Sequence, residues 1–395
     1  MKKRLLSMAL SAVMVLSLAA CGGQAKDSAS TKSASKTTSA TSAASTTSAA
    51  STTSAASTTS AASTTSAAGS ASSTKSGSTT TAKSDLKVGL ITDVGGIHDH
   101  SFNETSWKGL EKAKTDFGVE INYLESKTDA DYSSNIESFV DEDYDLIVCV
   151  GFKLAEATKK AAESHPDKKF AIIDDASNAS LPNVTCLTFK QEQASYLVGY
   201  VAGLVTKKNN VGFVLGMASE MMNKFGYGYL AGVYAANPKA TVQQIDANNF
   251  ADPAIGKTSA TTMITNGADV IFHAAGGTGV GVIQACQENK ISAIGVDTDQ
   301  SSLAPDTVIT SAMKRVDNAV YDSVKQLVDG TLKGGEVVYD LSKGGVDIAP
   351  TTKLLSEDVL KKVEEVKAKI LSGEIVVPGT KAEFEKEYGD KYELD

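Results

Sequence analysis

Residues 91–103 read ITDVGGIHDHSFN, and this stretch decides how the rest of the chain is interpreted. It follows the apolar run LKVGLI at residues 86–91 and precedes the helical pattern WKGLEKAKTDFG. A strand, a loop and a helix in this order form the first half of a βαβ unit. Ligands of open α/β sheets bind at the carboxyl ends of the strands, so this loop predicts a binding site. The alternative is an ordinary strand-to-helix turn capped by Ser101 or Asp99.

The strand and helix alternation continues for most of the remaining chain. Apolar strand patterns such as DLIVCV, KFAIID and ADVIFHAAG are separated by helical patterns, and the series restarts after KKNN at residues 207–210. Near-continuous apolar strands between helices indicate parallel sheets that are covered on both faces. The restart favours two similar lobes, and a single larger doubly wound domain is the alternative.

Acidic, aromatic and glycine residues recur where the predicted strands end. If two sheets face each other across a cleft, these strand ends line it. Two phenylalanines could then hold a flat ring while carboxylates and a lysine bind hydroxyl groups. The candidates from this pattern are Asp93, Phe102, Asp174, Asp175, Phe225, Phe250, Gly276, Asp297 and Lys314.

The first 84 residues lack the features of a folded domain. Residues 1–20 have a basic start and a short apolar run, and they end in LAA before Cys21, which resembles a bacterial lipoprotein signal lipidated on that cysteine. An ordinary secretory signal is the alternative. Residues 21–84 repeat TTSAAS and contain too few large apolar side chains to form a core, so we expect a lipidated N-terminus followed by a disordered linker. Two or more acyl chains would anchor the protein stably to a membrane.

Composition excludes several classes of protein. The formal net charge of −9 argues against a nucleic-acid partner. Past Cys21 only Cys149, Cys186 and Cys286 remain, and their number and spacing argue against disulfides and a structural zinc site. We expect buried thiols at these positions, because each lies in an apolar stretch.

Other motifs imitate functional sites. GTGVG at residues 277–281 resembles a dinucleotide-binding loop, but its third glycine is misplaced. The HDH sequence at residues 98–100 could bind a metal ion, although the chain has only 4 histidines. Nucleophile-elbow, HExxH and Walker motifs are missing from the sequence, so we expect no enzyme, no cofactor and no metal site.

Several ordered motifs resemble the basic membrane protein family of ABC-transporter substrate-binding lipoproteins. They are TDVGGIHDHSFN, QEQASYLVGYVAG, KFGYGYLAGV, FADPAIGK, FHAAGGTGVG, IGVDTDQ and GEIVVPG. The resemblance implies a type I periplasmic-binding-protein fold with two Rossmann-like lobes, a hinge and a ligand cleft between the lobes. It also implies nucleosides as ligands, purine nucleosides favoured, an ABC permease as partner, and a monomer on the extracytoplasmic face of the membrane. The alternatives left open are an exported nucleoside-processing enzyme, a metal- or sugar-binding lipoprotein with the same fold, and a surface signalling or adhesion lipoprotein. We place the first lobe at residues 86–205 and 310–334, the second at 206–305 and 336–379, and a charged tail at 380–395.

The same resemblance suggests roles for the candidate residues. Asp93 and His100 fall in the first ligand loop, where Phe102 would stack on the base. Either Asp174 or Asp175 would contact the base edge or the ribose. Phe250 is the candidate for the second stacking ring and Phe225 its alternative, while the ribose hydroxyls would be held by Gly276, Asp297 and Lys314. We expect hinges near residues 204–209, 304–311 and 334–338.

Overall fold

The computed structural model describes residues 84–394. The predicted signal segment, the predicted lipidation site Cys21 and the predicted linker up to residue 83 lie outside the described residues. Within residues 84–394, the helices are too short or too polar to cross a membrane.

The described chain contains two six-stranded sheets with matching topology. In chain order the strands are β1 (Lys87–Ile91), β2 (Glu120–Leu124), β3 (Leu146–Val150), β4 (Lys169–Ile173), β5 (Val184–Phe189), β6 (Asn210–Leu215), β7 (Thr241–Asp246), β8 (Val270–Ala274), β9 (Ser292–Asp297), β10 (Val308–Lys314), β11 (Gly335–Tyr339) and β12 (Val346–Ile348). The first sheet has the order β11-β5-β4-β3-β1-β2 and the second β12-β10-β9-β8-β6-β7. Neighbouring strands are parallel except β12, which is antiparallel to β10. The prediction of two parallel-sheet lobes is therefore confirmed.

Helices cover both faces of each sheet. They are α1 (Phe102–Phe117), α2 (Asp131–Asp141), α3 (Ala155–Ser164), α4 (Gln191–Val205), α5 (Glu220–Ala236), α6 (Pro253–Thr265), α7 (Thr278–Glu288), α8 (Val316–Val328), α9 (Glu357–Ser372) and α10 (Lys381–Tyr388). Every residue of the central strands β3 and β8 is buried, as two covered faces require. The cysteines of the described chain are free and buried, as predicted.

Two strands near the C-terminus lie in the opposite lobes from those predicted. We placed residues 310–334 in the first lobe and 336–379 in the second. Strand β10 instead pairs with β9 in the second sheet, and β11 pairs with β5 in the first sheet. Helix α8, between these strands, packs against α1 of the first lobe as predicted. A run of apolar residues records that a strand is buried but not which sheet it joins, and this explains the error.

Helix α4 also lies in the opposite lobe from the one predicted, because we placed residues 86–205 in the first lobe. It follows a strand of the first sheet but packs along α5 in the second lobe. Glycines make this close contact possible on both helices. A Cβ atom at Gly199 would lie 2.2 Å from the Tyr229 carbonyl oxygen, and one at Gly228 would lie 2.1 Å from the Glu192 carbonyl oxygen. Both distances are below any normal contact, so the two helix backbones meet directly.

The chain crosses between the lobes at adjacent points. It leaves the first sheet at Lys190 and the second at Arg315, and each residue is the N-cap of the helix that follows. The Lys190 N–H donates to the Tyr339 carbonyl at 2.9 Å, and the Arg315 N–H donates to the Gly345 carbonyl at 2.9 Å, beside the last crossing at residues 340–345. The predicted hinges at 204–209, 304–311 and 334–338 are wrong, because each lies inside one lobe.

Candidate ligand-binding cleft

The loop between β1 and α1 is ordered by two buried aspartates. The Asp93 carboxylate accepts hydrogen bonds from the Gly95 N–H at 2.9 Å and from Asn103 Nδ2 at 2.8 Å. The Asp99 carboxylate accepts from the backbone N–H groups of Ser101 at 2.9 Å, Asn103 at 2.8 Å and Glu104 at 3.1 Å. Asp99 therefore caps the start of α1. The capping alternative for this loop is correct for Asp99, yet Asp93, Asp99 and Asn103 also line a cavity.

Burial changes the acidity of the aspartates in the cleft. Loss of solvation raises the pKa values of Asp93, Asp99 and Asp297 to about 6 each. The hydrogen bond from Asn103 opposes this rise at Asp93, backbone N–H groups oppose it at Asp99, and the positive charge of Lys314 opposes it at Asp297. These carboxyls are therefore ionised at pH 7.5 but titrate between pH 5 and 7.

An ion pair joins the lobes at the base of the cleft. Lys314, the last residue of β10, pairs with Asp174 directly after β4. The two residues are only 2% and 4% exposed. The Lys314 ammonium also lies 4.7 Å from the ring centre of Phe102 and 5.6 Å from that of Phe225. One cation is thus held between a carboxylate and aromatic rings from both lobes.

Two further hydrogen bonds connect the lobes in this structure. The Ser101 hydroxyl of the first lobe bonds to the Asp297 carboxylate of the second. Gln300 Nε2 donates to the backbone carbonyl of His100 at 3.0 Å, while Gln300 Oε1 accepts from the Val296 N–H at 2.9 Å. The lobes are therefore closed on each other along the edge where the strands end.

A cavity of about 540 Å³, including the part open to solvent, lies between these contacts. The lining contains polar and aromatic residues from the ends of strands in both lobes. From the sequence-based candidates, the cavity brings together Asp93, Phe102, Asp174, Phe225, Phe250, Gly276, Asp297 and Lys314.

Two candidates, His100 and Asp175, lie outside this cavity. His100 has a positive φ of 55°, and its side chain is 52% exposed beside Glu104, 3.1 Å away. Asp175 lines a neighbouring depression and accepts a hydrogen bond from the Ser177 N–H at 2.9 Å. Asp174 has a positive φ of 65°, and of the two adjacent carboxylates only that of Asp174 reaches the cavity. The prediction that His100 and Asp175 line the ligand site is therefore wrong.

Sequence reasoning missed part of the cavity wall. Asp99 lies in the first loop and Asn103 in the first turn of α1, and the directions of their side chains could not be predicted from the sequence. Phe152 and Lys153 follow β3 and contribute a second ring from the first lobe, and Met222 comes from the start of α5. Phe152 and Lys153 could have been predicted from their position after the strand DLIVCV. Asp174 was predicted in this way, because it follows the next strand.

The glycines at residues 277–281 have a packing role. A Cβ atom at Gly279 would lie 1.9 Å from His273 Nδ1, and one at Gly281 would lie 1.7 Å from the Pro253 carbonyl oxygen. These glycines let α7 approach β8 and α6, which accounts for the motif without a dinucleotide. Among residues 84–394, no group of histidine, cysteine and acidic side chains is arranged to hold a metal ion.

Comparisons with known proteins agree with this architecture. A family model described as "ABC transporter substrate-binding protein PnrA-like" (Bmp) matches residues 86–381. The "CD4+ T-cell-stimulating antigen" of Listeria monocytogenes is 40% identical over 319 residues, which cover 75% of this chain and 89% of the relative. The "ABC transporter nucleoside-binding protein BmpA" of Lactococcus lactis subsp. cremoris is 34% identical over 318 residues, covering 75% and 90%.

A solved structure of an ABC transporter solute-binding protein from Aeropyrum pernix has a TM-score of 0.71 and 30% identity. It covers 78% of this chain and 98% of its own. The chain therefore belongs to the Bmp family of ABC-transporter substrate-binding proteins. Proteins of this class work on the extracytoplasmic side of the membrane and serve a permease.

Proposed function

We propose that this Bmp-family protein captures a nucleoside in the cleft between its lobes and delivers it, unaltered, to an ABC permease. Purine nucleosides are the favoured ligands, a preference carried over from the family resemblance. We further propose that the protein is a monomer held to the outer face of the cell membrane by acyl chains on Cys21. The observation that carries the nucleoside proposal is the meeting of aromatic rings and buried carboxylates from both lobes in one cavity.

The aromatic rings suit a flat heterocycle. Phe102 lies in the first lobe, and Phe225 and Phe250 lie in the second. The ring of Phe250 is closely seated, because a Cβ atom at Gly216 would lie 2.3 Å from it. Aromatic side chains on two sides of a closing cleft can contact both faces of a base.

The polar atoms of the cavity call for a ligand that donates hydrogen bonds. Asp174 Oδ1 and Asn103 Oδ1 are buried, and neither has a hydrogen-bond partner within residues 84–394. A buried acceptor without a partner costs about 1–3 kcal/mol, so a bound ligand is expected to supply donors. Ribose hydroxyls and base N–H groups are such donors, and ionised carboxylates bind them strongly.

The charge of the cavity argues for nucleosides over nucleotides. Asp93, Asp99, Asp174 and Asp297 line it together with Lys153 and Lys314. Both lysines already face carboxylates, because Lys314 pairs with Asp174 and Lys153 lies 2.8 Å from Asp129. A phosphate group would therefore enter a site with an excess of negative charge, which disfavours it.

Calorimetry on emptied protein tests this proposal. The protein is unfolded, dialysed and refolded, then titrated with guanosine, adenosine, inosine, cytidine and uridine, and with guanosine monophosphate. We expect tight binding of at least one purine nucleoside and at least about 100-fold weaker binding of the monophosphate, a difference of about 2.7 kcal/mol. If no nucleoside gives a binding signal, the proposed ligand class is refuted. Release of free base during incubation with inosine would instead indicate an enzyme.

The anchor and the oligomeric state need separate measurements. A Cys21→Ala variant should appear in the culture medium or as an unprocessed precursor, whereas the parent chain should stay with the membrane fraction. Light scattering should give the mass of one chain. A variant that remains lipid-modified would contradict the assignment of Cys21.

A further inference from the structure

The C-terminal segment beyond Gly379 packs onto the second lobe, next to the cleft. Thr380 and Glu383 form a capping box that starts α10, and Phe384 and Tyr392 are buried. The family model ends at residue 381, so nearly all of this segment lies beyond the matched part of the chain. We infer that Tyr392 is a positioning residue for the ligand cleft, which it fixes through the first turns of α5.

Helix α5 presents neighbouring faces to the cavity and to the tail. Met222 and Phe225, which are three residues apart, line the cavity. Asn223 and Gly226, also three residues apart, contact Tyr392. Residues at this spacing share one face of a helix, so each pair marks one of two neighbouring faces. A movement of the helix that starts at the tail contacts therefore also displaces the residues that line the cavity.

The contacts of Tyr392 with α5 are specific. Its hydroxyl hydrogen-bonds to Asn223 Oδ1 at 3.0 Å, and this contact is buried. Its ring lies 4.7 Å from the ring of Tyr227, at an interplanar angle of 63°. A Cβ atom at Gly226 would lie 2.2 Å from the Tyr392 ring, and the nearest atoms to that position all belong to Tyr392. Only glycine at residue 226 lets this ring reach the helix.

The backbone on either side of Tyr392 is tied to the edge of the second sheet. The Gln244 side chain on β7 donates to the Lys391 carbonyl at 2.8 Å and accepts from the Glu393 N–H at 3.1 Å. The tail residue is thus clamped between the edge strand and α5. This clamp explains how a terminal segment can hold the helix in a fixed position relative to the sheet.

A one-atom substitution tests the inference, with a matched control in the same tail. Tyr392→Phe removes only the hydroxyl that reaches Asn223. Tyr388→Phe removes the same atom from a half-buried ring that stacks on Phe384 and Tyr234, and its hydroxyl bonds to Glu387 of its own helix. A net hydrogen bond of this kind changes an equilibrium by about 2- to 12-fold.

Hydrogen exchange on the ligand-free protein is the first readout. We expect Tyr392→Phe to speed exchange in residues 220–228 by about 2- to 12-fold, and Tyr388→Phe to leave these residues unchanged. Unchanged exchange in residues 220–228 of Tyr392→Phe would overturn the inference. This readout needs no ligand, so it tests whether the Tyr392 hydroxyl holds the start of α5 even if the proposed function is wrong.

Affinity is the second readout, and it rests on the proposed function. We measure binding of the nucleoside found for the parent chain, at a temperature well below unfolding. Tyr392→Phe should lower its affinity by about 2- to 12-fold, and Tyr388→Phe should leave it unchanged. A merely structural role would lower the unfolding temperature without this loss of affinity. Faster exchange with unchanged affinity would overturn the positioning role, whereas a parent chain that binds no nucleoside would overturn only the proposed function.

A double-mutant cycle tests the ring contact independently. Gly226→Ala should weaken binding when Tyr392 is present, because the new methyl group and the ring occupy the same space. In a Tyr392→Ala background the same substitution should be neutral, since space has been created and alanine favours a helix. Equal effects of Gly226→Ala in both backgrounds would contradict the proposed contact.

Discussion

Replacing Asp297 with asparagine separates the charge of this carboxyl from its shape. Asp297 ends β9, is 5% exposed and accepts a hydrogen bond from Ser101 across the cleft. Burial raises its pKa from an ordinary value of 3.8 to about 6. At pH 7.5 the carboxyl is therefore ionised in the folded protein, at a cost in solvation that a bound ligand can offset through hydrogen bonds.

The expected effects on binding and stability have opposite signs. A hydrogen bond to a charged group contributes about 1.5–3 kcal/mol and a neutral one about 1 kcal/mol, so the variant should bind a nucleoside about 2- to 30-fold more weakly. Because the folded-state pKa is raised, the stabilising effect of the protonated form is present below pH 3.8 and is lost as pH rises through about 6. Asparagine removes that loss, so the ligand-free variant should be as stable as the parent at pH 7.5, or more stable.

Calorimetry and thermal unfolding at pH 7.5 and 5.0 measure both effects. The difference in affinity between parent and Asp297→Asn should shrink at pH 5.0, where the parent carboxyl is largely protonated. Asp175→Asn is the matched control, because it makes the same substitution at an aspartate that lies next to Asp174 but outside the cavity. Equal affinity of Asp297→Asn and the parent at pH 7.5, or a lower unfolding temperature of the empty variant, would refute the reasoning.

Further predictions concern protons, helix packing and closure. Ligand donors favour ionised carboxyls, so nucleoside binding at pH 6 should release protons from Asp93, Asp99 and Asp297; identical binding enthalpies in phosphate and Bis-Tris buffers would contradict this. Gly228→Ala should destabilise the protein by about 1–3 kcal/mol in urea despite the helix propensity of alanine, because its Cβ would lie 2.1 Å from the Glu192 carbonyl oxygen. An unchanged midpoint would argue against that contact. X-ray scattering should show a smaller radius of gyration when nucleoside is added to emptied protein, and no compaction would count against closure.

Positions of strand ends could be predicted from the sequence alone. Asp93 and Asp174 follow β1 and β4, and Asp297 and Lys314 end β9 and β10. Parallel strands bring their carboxyl ends to one edge of a sheet, so residues far apart in the chain converge there. The alternation of strands and helices therefore predicted the fold class and eight of the eighteen residues that line the cavity.

Side-chain directions in turns could not be predicted in the same way. Asp174 and Asp175 are chemically identical neighbours, and only Asp174, which has a positive φ, reaches the cavity. His100 also has a positive φ, and its ring points to solvent beside Glu104. Such backbone angles at residues other than glycine depend on tertiary contacts, which a single sequence does not record. The same limit applies to the strands β10 and β11, whose patterns fit either sheet.

The location of the lobe crossings gives the Lys314–Asp174 ion pair and the hydrogen bond from Gln300 to His100 different roles in opening. Lys314 directly precedes the crossing at Arg315, and its partner Asp174 lies in the other lobe. A rotation about the crossings displaces nearby atoms least, so this pair can persist while the lobes separate. The hydrogen bond from Gln300 to His100 joins two loops that are not adjacent to a crossing, and we infer that it breaks first. A structure of the emptied protein in which Lys314 and Asp174 are apart while the bond from Gln300 to His100 remains would contradict this order.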